Sequence, residues 1–409
     1  MRYSNMCPNI AQGQPQACGP PARAVRQRFS GTAGFAAPTS PVPGEDGDVH
    51  AQLPEGYRDR RAGAGDGPRP GAAAVTRRVR FHEFGAPEVL RFEEHELPAP
   101  EPDEAVVRLQ AIGLNRAEAA FRRGRYVEKA RLPASLGYEG AGVVEAVAPG
   151  TSGIAPGDFV SIIPSFSMNR YGVYAERAVV PADALLPVPR GLHAAGAAGI
   201  WMANLTAYGG LVDICRLGEG ESVVITAASS SVGLAAIDVA RRVGAVPIAV
   251  TRSPGKRRAL QRAGAARVIV SGEEPLGESV RELTDGAGAR VAFDPVGGEM
   301  VALLAEALAP EGTLVLYGNL SGQMRETPIP FGAMAGKGLS LRGYLVFEVI
   351  HDRARFARAR EFILQGLSDG SLKPHIDRTF PFEEIVAAHR YLEGGDQVGK
   401  IVVTVDGGE

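Results

Sequence analysis

Two short stretches carry residue types suited to holding a charged ligand. The first is TAASSSVG, residues 226–233, a run of small side chains ending in Gly233. Small residues let a backbone approach a pyrophosphate, whose charge is favoured at the N-terminus of a following helix. Ser229, Ser230, Ser231, Val232 and Gly233 are the candidate contacts, and the three hydroxyls can donate to phosphate oxygens. The second stretch is TRSPGKRR, residues 251–258. An acid at this kind of position usually holds the ribose 2′-hydroxyl of NAD. None is present. Ser253 followed by Pro254 reads as an N-cap and a first helical residue, so a helix dipole faces the spot. Arg252, Lys256 and Arg257 add positive charge, which suits a 2′-phosphate and makes NADPH the expected cofactor. The same run also reads as a solvated basic helix face.

These turns need strands and helices to aim them. SVVIT (222–226) and VPIAVT (246–251) are short apolar runs, each followed by a helical pattern, and RVIV, RVAFDP and GTLVLYG continue the series. Strands alternating with helices at a spacing of about 25 residues predict a doubly wound parallel sheet. A further strand, LSLRGYLV (339–346), follows a loop. Upstream, RRVRFHEFG, VLRFEEHELP, EAVVRLQAIGLN and GAGVVEAVAPG alternate in β fashion between Gly and Pro breaks, a β-rich region with many turns. Downstream come a long helix (RARFARAREFILQGL) and the strand KIVVTV, expected to return to the β-rich region. In residues 1–75, Ala, Gly and Pro supply 34 positions and Ile, Leu, Val and Phe only 8, too little apolar surface to offset ordering entropy. That stretch is expected to be a disordered tail. A start codon read too early, a functionless tail and a transit peptide all fit its Arg-rich, acid-poor beginning.

Bulk properties narrow the classes. A net charge of −2 over 409 residues gives no general pull toward nucleic acid or anionic membrane. No window approaches ~18 uninterrupted apolar residues, so no membrane span is expected. Cys7, Cys18 and Cys215 form no C-x-x-C pair, which excludes a disulfide framework and suits a reducing, cytoplasmic location.

The pieces GLNRAEAAFRRGRY, GYEGAGVVEAVAPG, GDFV, WMANLTAYGGL, AASSSVG, FDPVGG and GKIVV make residues 77–406 resemble the medium-chain dehydrogenase/reductase superfamily, in its zinc-independent quinone oxidoreductase (zeta-crystallin-like) branch. The resemblance implies an α/β fold in which a GroES-like catalytic domain (76–199 and 347–409) is interrupted by a Rossmann domain (200–346), with the site in the cleft between them and a homodimer as the assembly. AASSSVG departs from the branch's A-A-x-G-G-V-G by Ser230 and Ser231. Zinc-dependent relatives ligate the metal with a Cys, the His of a G-H-E segment and a later Cys or acid. Here the Cys position falls at Gly113 to Asn115 and the His position is Tyr138, so no metal is expected and Tyr138 is expected to fill the space by packing.

Without a Lewis acid, an alkene conjugated to a carbonyl or a quinone is the easier hydride acceptor. By resemblance, Tyr126 places its hydroxyl at the substrate carbonyl or α-carbon, and Asn115, eleven residues earlier, positions substrate or cofactor ribose. Thr206 is implied at the nicotinamide ribose. Asp294, Val296 and Gly297, with Gly318 and Asn319, line the nicotinamide side, and Lys400 lies near the cofactor phosphates. A small quinone or enone is the expected partner. A trans-acting enoyl thioester reductase and a non-catalytic NADPH-binding protein are the alternatives, and the loops around 164–170 and 320–337 would set the substrate.

Overall fold

The computed structural model describes residues 75–323 and 327–405. The expectations for residues 1–74 lie outside them. The first strand, Val75–Phe81, buries Val79 and Phe81 on one face and begins two residues before the alternation in the sequence suggested. It pairs antiparallel with Arg91–Glu96 and Ala134–Ser135 in a three-stranded sheet.

The centre of the β-rich region is Glu104–Gly113, whose near-continuous apolar run is buried on both faces. It pairs antiparallel with Glu139–Val147, with Arg177–Pro181 and with the last strand of the chain, Lys400–Thr404. That last pairing sets Val402 opposite Gly113. A strand from beyond the second sheet therefore closes the first one, beside the segment carrying Asn115.

The second sheet is parallel throughout, in the order Arg267–Val270, Val246–Thr251, Ser222–Ile225, Ala289–Asp294, Leu308–Leu316, Ser340–Gly343. SVVI and VPIAVT read as unbroken apolar runs because helices cover both faces of such a sheet. Strand order reverses beside Ser222–Ile225, where doubly wound sheets bind ligands at the strand carboxyl ends. Between the two sheets lies Trp201–Tyr208, a helix buried at every residue. No helix among the described residues is long and apolar enough to cross a membrane.

Candidate active site

TAASSSVG leaves the carboxyl end of Ser222–Ile225 and opens the helix Ser231–Arg242. Ala227 takes a left-handed backbone (φ 46°), uncommon for a residue with a Cβ, which folds the turn back toward the sheet. Ser230 is the N-cap, its Oγ accepting from the Gly233 amide at 3.0 Å. A Cβ on Gly233 would lie 2.5 Å from the Ala228 carbonyl oxygen, so only glycine lets the helix start this close to the strand end. The cradle is thus built by close backbone approach even with Ser230 and Ser231 in place of glycines.

The cations of TRSPGKRR divide. Lys256 Nζ donates to Ser229 Oγ at 3.2 Å and to the carbonyls of Gly395 and Gln397 at 2.7 and 2.9 Å. Its three protons tie the phosphate turn to a neighbouring loop. Arg252 is exposed and has no hydrogen-bond or ion-pair partner among the described residues. Its guanidinium and that of Arg116 each approach the place where Gly395 would carry a Cβ, at 3.5 and 3.7 Å. Burial first, then the charges of Arg252 and Arg123, push the Arg116 guanidinium below its ordinary pKa, against the pull of Glu393. Two cations from separate elements therefore meet beside Gly395, Arg116 also donating to the Glu393 carbonyl at 3.5 Å. Sequence reading missed Arg116, although a cation at the first position of a helix opposes the dipole and needs another reason to be there. Ser253 precedes the short turn Pro254–Lys256 but makes no side-chain cap bond.

In the turn expected to line the nicotinamide, Asp294 is fully buried and accepts from the Val296 and Gly297 amides at 3.0 and 2.8 Å and from the Thr226 hydroxyl. Burial raises its carboxyl above the usual range while these bonds oppose the shift. The residue shapes the FDPVGG turn, where Gly297 has φ 68°. Gly318 packs on Pro295, a Cβ there meeting it at 3.0 Å, and Asn319 Oδ1 accepts from Ser321 at 3.3 Å. Thr206 Oγ1 donates back to the Met202 carbonyl at 2.6 Å within its own helix.

The least expected feature is a buried polar cluster. Lys400 follows Gly399, whose amide reaches the Ser229 carbonyl at 2.9 Å, so its backbone does border the phosphate turn. Its ammonium points the other way. It is 1% exposed, paired with Glu139, and donates to Asn115 Oδ1 at 2.7 Å. Glu139 Oε2 also accepts from the Met202 amide at 3.1 Å. Asn115 in turn donates from Nδ2 to Glu118 Oε1 at 3.2 Å and to the Gly113 carbonyl at 3.3 Å, and its backbone N–H donates to Glu118 Oε2 at 2.7 Å. The Asn115 amide is therefore engaged by protein on both ends. Gly113 has no alternative residue here: a Cβ would collide with the Ala198 carbonyl and meet Lys400 Cε at 2.9 Å.

Glu118 is wholly buried, and its carboxyl is pushed up to about 7 by desolvation, against the charge of Lys400 and the Asn115 bond. Because the folded pKa exceeds the ordinary carboxyl value, the folded chain keeps a proton that the unfolded chain has released between about pH 4.5 and about pH 7. Stability from this group is complete below that window and is lost as pH rises through it. Thermal melts from about pH 5 to about pH 8 should therefore show the wild type losing ground against Glu118→Gln, and parallel curves would contradict this.

Tyr138, whose backbone N–H donates to Glu118, packs against Tyr126, their rings 6.1 Å apart and tilted by 57°, with a hydrogen bond between their hydroxyls. Burial drives the Tyr126 hydroxyl well above the usual phenol range, the Tyr138 bond working against the shift and the Glu118 charge adding to it. Tyr126 is a donor at any working pH. Tyr138 packs against Phe166 and Phe347, as expected, and also bonds, which was not. Among the described residues, no three His, Cys, Asp or Glu side chains converge as metal ligands.

A GroES-like sheet that takes in a strand returning from beyond a Rossmann sheet is the architecture of dehydrogenase-type oxidoreductases. Residues 101–190 match the alcohol dehydrogenase GroES-like domain family, and residues 231–365 the zinc-binding dehydrogenase family. The quinone oxidoreductase of Pseudomonas aeruginosa is 32% identical over 330 residues, covering 80% of this chain and 99% of that protein. The 2-haloacrylate reductase of a Burkholderia species is 27% identical over 328 residues, covering 79% and 97%. A mycobacterial protein solved in complex with NADPH superposes with a TM-score of 0.74 at 28% identity, covering 80% and 99%. The chain belongs to the medium-chain dehydrogenase/reductase superfamily, in its quinone oxidoreductase branch.

Proposed function

We propose that the chain is an NADPH-dependent reductase delivering hydride to a quinone or to the β-carbon of an α,β-unsaturated carbonyl, without zinc. The observation that carries this reading is Tyr126: a protonated hydroxyl, hydrogen-bonded to Tyr138 and within reach of the Glu118 charge. At the positions where zinc-dependent relatives carry ligands, the chain has Tyr138 and, across Gly113 to Asn115, no thiol.

The cradle residues fit a dinucleotide. Ser229 to Gly233 would receive the pyrophosphate, Arg252 and Arg116 a 2′-phosphate, and the turns at Val296–Gly297 and Gly318–Asn319 the nicotinamide. Bound NADPH supplies the hydride. Tyr126 then donates to the oxygen or α-carbon on which charge develops. Asn115 acts by position, holding the Lys400 ammonium under the site. Thr206 shapes the helix facing the cofactor, its hydroxyl already committed to Met202. Rates with NADPH and a panel of one quinone, one enone and one enoyl thioester, each with and without a chelator, test the proposal. Turnover of none of them, or a rate abolished by the chelator, would overturn it.

The cofactor preference has its own test. A hydrogen bond to a charged group contributes about 1.5–3 kcal/mol, and Arg252 is exposed, so the low end applies. Arg252→Ala should raise KM for NADPH about tenfold and leave NADH nearly unchanged. Lys256→Ala differs, since its ammonium supports the turn itself, and should weaken both cofactors together.

A homodimer is part of the same reading. Ser340–Gly343 is a sheet edge with all four residues exposed, and the segment leading to it carries Ile329 and Phe331, 63% and 79% exposed. Pairing of two such edges would cover both. Phe331→Glu with Leu341→Lys should convert a dimer to a monomer in sedimentation velocity, and an unchanged coefficient would place the interface elsewhere.

A further inference from the structure

We propose that Tyr138 is a positioning residue for proton transfer, donating its hydroxyl proton's hydrogen bond to the Tyr126 oxygen and so stabilising the phenolate that transfer leaves behind. The proposal rests on the reading of Tyr126 as the donor to substrate.

Tyr138 is held at both ends. Its backbone N–H donates to Glu118 Oε1 at 3.2 Å, the same oxygen that accepts from Asn115 Nδ2. Its hydroxyl bonds Tyr126. Its ring is 1% exposed and wedged between Phe166 and Phe347, with centroids at 6.1 and 5.8 Å. The preceding Gly137 has φ 103°, and a Cβ there would lie 2.5 Å from the Tyr174 ring, so the backbone reaches this place only through glycine. The backbone bond would be open to any residue here, but a side chain present only to fill space would need no hydroxyl bonded to Tyr126.

The chemistry gives the second hydroxyl a task. Hydride adds to the β-carbon, the alkene π pair moves toward the carbonyl, and NADPH becomes NADP+. The α-carbon or the oxygen takes the proton of Tyr126, whose O–H bond breaks and leaves its electron pair on the phenolate oxygen. Solvent restores that proton after product leaves. In a buried aromatic setting, with the Glu118 carboxyl nearby, a bare phenolate is costly. Tyr138 is the neighbouring side chain whose hydrogen bond opposes that cost, and the bond strengthens as charge develops.

The test is a double-mutant cycle on one enone and one quinone under saturating NADPH. One hydrogen bond to a developing charge predicts that Tyr138→Phe lowers kcat on the enone about tenfold to a hundredfold. KM for the enone and Kd for NADPH should stay near native. The quinone rate should fall less, because its oxygen can be protonated by water. Since Tyr138 acts only through Tyr126, Tyr126→Phe/Tyr138→Phe should be no slower than Tyr126→Phe alone. Native kcat in a folded Tyr138→Phe enzyme whose Tyr126→Phe counterpart is slow overturns this proposal alone, as do losses that multiply in the double variant. A native rate for Tyr126→Phe overturns the underlying reading, and this proposal with it. Should Tyr138→Phe fail to fold, Tyr138→Met fills the same gap without a hydroxyl and carries the same expectations.

Discussion

Tyr126→Phe is expected to lower kcat on an enone by ~10²–10⁴-fold, the usual loss when a general acid is removed. The ring and its edge contact with Phe121 remain, so stability and cofactor affinity should hold. A quinone should suffer less, since water can protonate its oxygen. Mere orientation of the substrate by Tyr126 would instead appear in KM. Steady-state rates on the two substrates, with NADPH saturating, separate these outcomes. An unchanged kcat on both would leave protonation to solvent and reduce Tyr126 to a pocket wall.

The second large effect is on folding. Lys400 and Glu139 are both buried, and removing one partner strands the other charge in an apolar setting. Such breaks cost about 3–5 kcal/mol. Lys400→Met should lose about that much unfolding free energy and also release Asn115 Oδ1, the acceptor at 2.7 Å. Glu139→Gln/Lys400→Met removes both charges and should recover part of the loss. A double variant no more stable than Lys400→Met alone would show that the cost lies in packing. A wild-type melting curve for Lys400→Met would show that water reaches the pair.

Local signals sufficed for the parallel sheet. SVVIT, VPIAVT and their successors are unbroken apolar runs, and a strand followed by small residues and a helix is written within one contiguous stretch. For the same reason the small-residue turn between Ser222–Ile225 and its helix was legible, its shape lying in backbone approach and in one glycine at 233. Charge type was legible too, in the absence of an acid from TRSPGKRR.

Direction was not. Lys256 and Arg252 are alike on paper, yet three acceptors fix the first and leave the second facing the gap with Arg116. Lys400 was assigned to the cofactor phosphates, and its neighbour Gly399 does bond the Ser229 carbonyl, but its side chain meets Asn115 across 285 residues of sequence. Which way it points depends on the register of Lys400–Thr404 against Glu104–Gly113, and a slip of one residue would turn it to the opposite face. Glu118 and Glu139 drew no expectation because each is unremarkable alone, and Tyr138, at the lost His position, drew only one of packing. They become a buried network when the last strand, the Glu139–Val147 strand and the helix after Asn115 meet at one point. Sequence by itself determined the kinds of group and the turns that bear them. Tertiary structure decided how far each of those groups is withdrawn from water, and burial is what raises the Tyr126 hydroxyl further, brings Glu118 to about 7 and leaves Lys400 tied to Glu139.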